Sequence, residues 1–277
     1  MRLYAQTHAT LSTEGGTRQP MITENPIPKP ADADKLGPLR GQVWLTLQTN
    51  QARRLIRGRN GTKGQSPIIG LGLFAERLRL IWQASRNDDP YADWWLIKVH
   101  EAIEEREALF LRLQRELDER LTQMGSIEVA VAESERPYRM PLQFANPYAY
   151  QAARLVSTYD ALVCGALTAS HIGVLDRASR DQLIELGARK IRGLFMIPQG
   201  YRFLRIERSD IQKGNDKNTQ AVQFMGVVPD DVLSGKRRAP MAPIQRHLSS
   251  GFSRNLGLHS SPTAPVTAPS PDENDDA

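Results

Sequence analysis

The chain has 277 residues, of which 40% are hydrophobic and 24% charged, with a formal net charge of +5. That is enough apolar side chain for packed cores and excludes a chain that is disordered throughout. No run approaches the roughly 18 apolar residues that cross a bilayer, and no apolar signal core follows Met1-Arg2-Leu3-Tyr4, so a cytoplasmic protein without a membrane partner is expected.

The single cysteine, Cys164, sits among Leu162, Val163 and Ala166 and reads as a small buried apolar residue rather than a nucleophile. Charge is segregated along the chain. Residues 35 to 75 carry seven basic and no acidic side chains, whereas residues 88 to 135 carry five basic and thirteen acidic ones. Arginine supplies 28 of the 36 basic residues.

In chain order, residues 1–36 are rich in Thr, Pro, Gly and Asp without periodicity and read as a disordered N-terminal arm. Residues 37–125 form a basic strand–helix segment followed by a long amphipathic helix. Gln42 to Gln48 alternates, with Val43, Leu45 and Leu47 on one face and Gln42, Trp44, Thr46 and Gln48 on the other, which predicts a half-buried strand. Thr49 or Asn50 can cap a helix over Gln51 to Arg57 that Gly58 ends, leaving the basic loop Arg59-Asn60-Gly61-Thr62-Lys63-Gly64. Phe74, Leu78 and Ile81 mark a core helix over about Leu71 to Arg86. Asp89-Pro90 then starts a helix of about eight turns whose apolar stripe includes Leu96, Val99, Ile103, Phe110, Leu113, Leu117 and Leu121. Its glutamate-rich faces fit a solvated surface or a dimer seam.

Residues 126–247 read as a helical hairpin with short strands. After Gly125, Ile127, Val129 and Val131 alternate as a second strand, and a third is expected near Tyr138 to Phe144. Asn146-Pro147 opens the strongest amphipathic helix, from Tyr148 through Leu167, which Gly173 ends, and Asp176 caps its partner, with Leu183, Ile191 and Phe195 on the apolar side. Tyr201 to Ile206 fits a short strand or an extended stretch, Ser209-Asp210 caps a helix reaching Phe224, and a basic cluster lies at Lys236-Arg237-Arg238. Residues 248–277, ending in Asp272-Glu273-Asn274-Asp275-Asp276, read as a disordered tail. The fold class is therefore mainly α with a small β component, α+β.

The residue inventory argues against catalysis. The histidines at 8, 100, 171, 247 and 259 are scattered singly, so no metal site is expected. The glycine-containing stretch from Gly58 to Gly64 lacks the Gly-Lys-Ser/Thr ending that a nucleoside triphosphate needs, so no cofactor is expected either. His171 leads into Ile172-Gly173-Val174 and fits a helix-end cap, not the His-x-x-Arg of a tyrosine recombinase. Clustered histidines of the relaxase kind are missing too. A carboxylate pair built on Asp160 and Asp176 is the remaining catalytic reading.

A binding reading has more support. In ribbon-helix-helix proteins a strand from each of two chains forms a ribbon in the major groove, with the next helix N-terminus near a phosphate. Here Gln42, Trp44, Thr46 and Gln48 would face bases, and Arg53, Arg54, Arg57, Arg59 and Lys63 would meet phosphates. On residue types alone, an ordinary sheet strand beside a solvated basic helix fits better, because Trp44 is bulky for that groove position.

Several runs shift this balance: Asp88-Asp89-Pro90-Tyr91-Ala92-Asp93-Trp94-Trp95-Leu96, Pro141 to Gln151, His171 to Asp176, Gly200 to Leu204, and Leu233 to Pro240. Together they resemble a bacterial family of integrating conjugative element proteins over roughly residues 38 to 243. That family is defined by its genetic neighbourhood and has no established reaction. It is similar, more distantly, to a regulator of plasmid conjugation thought to bind DNA through a ribbon-helix-helix-like element. The resemblance implies a DNA-binding accessory or regulatory protein, and a homodimer is expected because a ribbon or the long amphipathic helix could each be completed by a second chain. The alternative is a non-catalytic interaction module that binds other conjugative-element proteins through the acidic helix or a groove beside Trp94 and Trp95.

Overall fold

The computed structural model describes residues 41–61, 64, 66–124 and 127–246. The expected arms at 1–36 and 248–277 lie outside the described residues. Among its described residues, the compact unit that begins at Gln42 is mainly helical with one two-stranded antiparallel sheet, an α+β fold as expected. Its elements are β1 (Val43–Leu47), α1 (Asn50–Arg57), α2 (Leu71–Arg86), α3 (Pro90–Thr122), β2 (Tyr138–Leu142), α4 (Pro147–His171) and α5 (Arg177–Met196). A 3-10 turn follows at Ile197–Gly200, then three short helices: α6 (Arg208–Lys213), α7 (Asp216–Met225) and α8 (Asp230–Leu233).

Four of the helix starts follow the expected chemistry. The side chains of Thr49, Asp89, Asn146 and Asp176 accept the backbone N–H three residues on, and Pro90 and Pro147 occupy the first helical position. α4 is the spine: Tyr148, Leu155, Val156, Tyr159 and Val163 are fully buried, and α1, α2, α3 and α5 all pack on it. Side chains from before and after residue 125 thus build a single hydrophobic core. α3 changes character along its length. Its first turns bury Tyr91, Ala92, Asp93, Trp95 and Leu96, whereas beyond Ile103 only Phe110 and Leu117 are buried. The glutamates of that outer half reach neighbouring helices, Glu107 with Arg154 at 2.6 Å and Glu105 with Lys190 at 3.3 Å.

Two expected elements differ. Ile127, Val129 and Val131 form no strand. The segment is held to the body by isolated bonds instead: Ala132 N–H donates to Thr168 Oγ1 and Ser134 N–H to Gln48 Oε1, each at 3.0 Å. The helix expected from Ser209 to Phe224 is two helices, since Gly214 takes the left-handed conformation (φ 62°) and Asn215 caps afresh.

The β1–α1 corner is fastened to the spine by one carboxylate. Asp160, buried on α4, accepts from the Gln48 N–H (2.5 Å), the Thr49 N–H (2.9 Å) and the Thr49 hydroxyl (2.5 Å). Its charge also sits at the N-terminus of α1, where the helix dipole favours an anion. Asp160→Ala leaves two amides without an acceptor, and an unsatisfied buried donor costs about 1–3 kcal/mol. The variant should lose about 2–4 kcal/mol in urea unfolding, with amide exchange at Gln48 and Thr49 accelerated; unchanged exchange there would contradict this role.

A second polar knot ties the chain's last described segment to the start of α3. Asp93, 0% exposed, accepts from Ser85 Oγ (2.5 Å), Arg208 Nη2 (2.6 Å) and Arg238 Nη2 (3.1 Å). Arg208 also grips Asp88, which Gln245 reaches at 2.7 Å, and Arg237 pairs with Glu101. The basic cluster at 236–238 is thus in part a set of internal latches. Asp89 is different: burial pushes its carboxyl from 3.8 up to about 6, while hydrogen bonds from Tyr201 (2.6 Å) and the Ala92 N–H act the other way.

These two aspartates should respond in opposite ways. Asp93→Ala strands two arginine charges and should cost about 3–5 kcal/mol. The raised Asp89 value means that its ionised form weakens the fold above pH 6, a penalty lifted as pH falls toward 4. Asp89→Asn, which keeps the cap, should match or exceed the parent by up to about 3 kcal/mol at pH 8 and lose that advantage near pH 4. Urea unfolding at both pH values checks the pair.

Candidate nucleic-acid interface

Of the nine residues singled out from sequence, the eight described ones do not form one patch. β1 and β2 pair with Val43 opposite Leu142, Trp44 opposite Pro141, Leu45 opposite Met140, Thr46 opposite Arg139 and Leu47 opposite Tyr138. Directly opposed residues share a face of the sheet. The inner face therefore carries Leu45, Leu47, Tyr138 and Met140, and the outer face carries Trp44, Thr46, Arg139 and Pro141. β1 thus takes a partner strand from its own chain, a correction to the ribbon-helix-helix reading, in which that strand comes from a second chain.

Its outer face is divided electrically. At one end Trp44 is 47% exposed and the Arg139 guanidinium lies 5.2 Å from its ring centroid, a cation–π shelf open to solvent. Arg139 was missed from sequence because nothing along the chain announces that residue 139 lies opposite residue 46. At the other end, Thr46 and Gln48 border a cavity of about 400 Å³ whose lining includes the carboxylates of Asp118, Glu133 and Asp160. The Gln48 side-chain oxygen is already occupied by the Ser134 N–H.

The basic residues separate in the same way. Arg53 turns inward, its guanidinium 5.0 Å from the Tyr138 ring centroid. Arg54 and Arg57 are exposed in the last turn of α1, where positive charge complements the helix dipole. Arg59 is exposed and exchanges backbone hydrogen bonds with Ile68 at 2.8 Å. Lys63 lies outside the described residues, and Gln42 is exposed just before β1. The loop between α1 and α2 is closed by two glycines. Gly58 has φ 62°, and a Cβ on Gly58 or on Gly70 would run into the backbone of the other's segment. The phosphate contact expected at the N-terminus of α1 is corrected too: the Asp160 carboxylate fills that position.

The alternative sites have structural roles. Asp160 is spent on the β1–α1 corner, and Asp176 caps α5, accepting from the Ser179 N–H at 2.9 Å. Burial, then the charges of Asp160 and Glu133, push the Cys164 thiol up to about 11, which leaves it unreactive. Trp95 is buried and donates to the Ile197 carbonyl at 3.0 Å, and the Lys98 ammonium sits over both Trp94 and Trp95. Among the described residues no three metal-ligating side chains gather, and no helix is long and apolar enough to cross a membrane.

A family model described as transcriptional regulator AcaB matches residues 35–246. The crystal structure of selenomethionine-containing AcaB from uropathogenic E. coli is similar at 17% identity and a TM-score of 0.45, covering 73% of this chain and 98% of that one. No curated protein matches the sequence. The family is one of transcriptional regulators, not of enzymes, and the extent of the match over strand, helices and latches means that this chain belongs to the AcaB family of transcriptional regulators.

Proposed function

We propose that this protein is a cytoplasmic DNA-binding regulatory or accessory protein of an integrating conjugative element. The observation that carries the reading is the solvent face of the β1–β2 ribbon, where Trp44 and Arg139 stand together beyond the acidic cavity. A two-stranded ribbon fits the major groove, and arginine is its commonest base and phosphate partner. Trp44, too bulky to read a base edge alone, acts here as the shelf that aims Arg139. Arg54, Arg57 and Arg59 supply further positive charge from a stretch that holds no acidic residue between 35 and 75.

A homodimer is part of the same reading. β1 pairs with β2 along one edge only, and its other edge has no strand partner among the described residues. A second chain's β1 added there would make a four-stranded ribbon with two Trp44–Arg139 shelves.

The test is binding of the full chain to promoter and origin fragments of its own element across a salt series. Specific binding should weaken with a log–log slope of about −0.9 per phosphate contacted. Arg54→Ala and Arg57→Ala should each reduce that slope by about 1 while leaving sequence preference intact. Arg139→Ala and Trp44→Ala should narrow the gap between specific and random DNA by about 1–3 kcal/mol. Absence of specific binding at physiological salt, or indifference to all four substitutions, would sink the proposal.

A further inference from the structure

We propose that the cavity between the α2–α3 turn and the extended segment before α6 binds a small anionic molecule carrying a planar ring, with the chemistry of a nucleoside phosphate. The cavity measures about 670 Å³, within the range of small-molecule sites. Four observations meet there.

First, backbone strain is concentrated in its walls. Asp88 (φ 66°) and Arg205 (φ 51°) are the non-glycine residues with positive φ among those described, and both line this cavity. Such conformations persist where the surroundings enforce them, and they cluster at ligand clamps. Second, the acidic lining is already engaged: Asp88 by Arg208 and Gln245, Asp89 by Tyr201 and the Ala92 N–H, and Glu207 in capping α6.

Third, two lining arginines have no carboxylate partner. Arg86 and Arg205 are exposed and make no ion pair among the described residues, whereas Arg208, Arg237 and Arg238 nearby are all paired. Asp88 is neutralised by Arg208, Arg86 and Arg205 stay available to a ligand, and guanidinium forks match phosphate oxygens. Fourth, Phe203 is 52% exposed in the same wall, with the Arg205 guanidinium 5.8 Å from its ring centroid. An exposed aromatic face beside an arginine is the shelf on which a planar ring stacks. The site shares no lining residue with the ribbon and does not depend on the DNA reading.

Calorimetric titration of the full chain with four probes tests this: guanosine monophosphate, adenosine monophosphate, ribose 5-phosphate and guanosine. At least one of the two nucleotides should bind saturably in the sub-millimolar range, and the two fragments more weakly by about tenfold or more. Arg86→Ala with Arg205→Ala should remove the advantage of the phosphate, and Phe203→Ala that of the ring. Arg205→Gly relieves the positive φ, so it should melt higher than the parent yet bind as poorly as the alanine variant, which keeps the test sound if Arg205→Ala folds badly. No saturable binding by either nucleotide, or binding indifferent to these substitutions, overturns the proposal. Displacement of bound nucleotide by a short DNA duplex would also overturn it, placing the cavity on the nucleic-acid surface instead.

Discussion

The geometry of the basic half of this protein hangs on the Asp160 carboxylate. One buried anion on α4 takes two amide protons and a hydroxyl from the residues between β1 and α1. It fixes where the strand stops, starts the helix by holding Thr49 in the capping position, and neutralises the positive end of α1. The ribbon, α1 and the spine are thereby tied at one point, so the attitude of Trp44 and Arg139 is set from inside the core. The same anion makes the thiol of Cys164 harder to ionise and contributes to the acidity beside Thr46 and Gln48.

Much of the fold is legible in the sequence because it depends on short-range chemistry. Asp89-Pro90, Asn146-Pro147 and Asp176 announce helix starts, and the alternation over Val43–Leu47 announces a strand. The departures are where tertiary context decides. The alternation at Ile127, Val129 and Val131 has the right period yet stays outside the sheet, where Ala132 bonds Thr168 and Ser134 bonds the Gln48 side chain. Arg53 and Arg54 are adjacent and chemically identical, yet one stacks on Tyr138 and the other faces solvent, a difference fixed by helix phase against β2. Arg139 enters the candidate surface only through strand register, which hydrophobic pattern alone leaves open across a connection of some ninety residues.

The runs that carry the family resemblance also acquire a physical meaning. Asp88 to Leu96, Gly200 to Leu204 and Leu233 to Pro240 are far apart in sequence but converge around the first turn of α3. There Asp93 receives Arg208 and Arg238, and Asp89 receives Tyr201. Buried ion pairs are poor sources of net stability but strong penalties for wrong pairing. This knot fixes how the segments after α5 return to the helical body, and it leaves Arg86 and Arg205 beside it with no carboxylate to satisfy them.

The glycine crossing between Gly58 and Gly70 gives the molecule a cassette. Where two backbones meet without room for a Cβ, the loop between them is sealed off at its base. Residues 59–69 can then change in length or charge without altering how α1 meets α2, because loop closure costs grow only slowly with added residues. Diversification among related proteins would be least constrained in this segment. Affinity for a new target can be retuned there while the ribbon and its carboxylate anchor stay fixed.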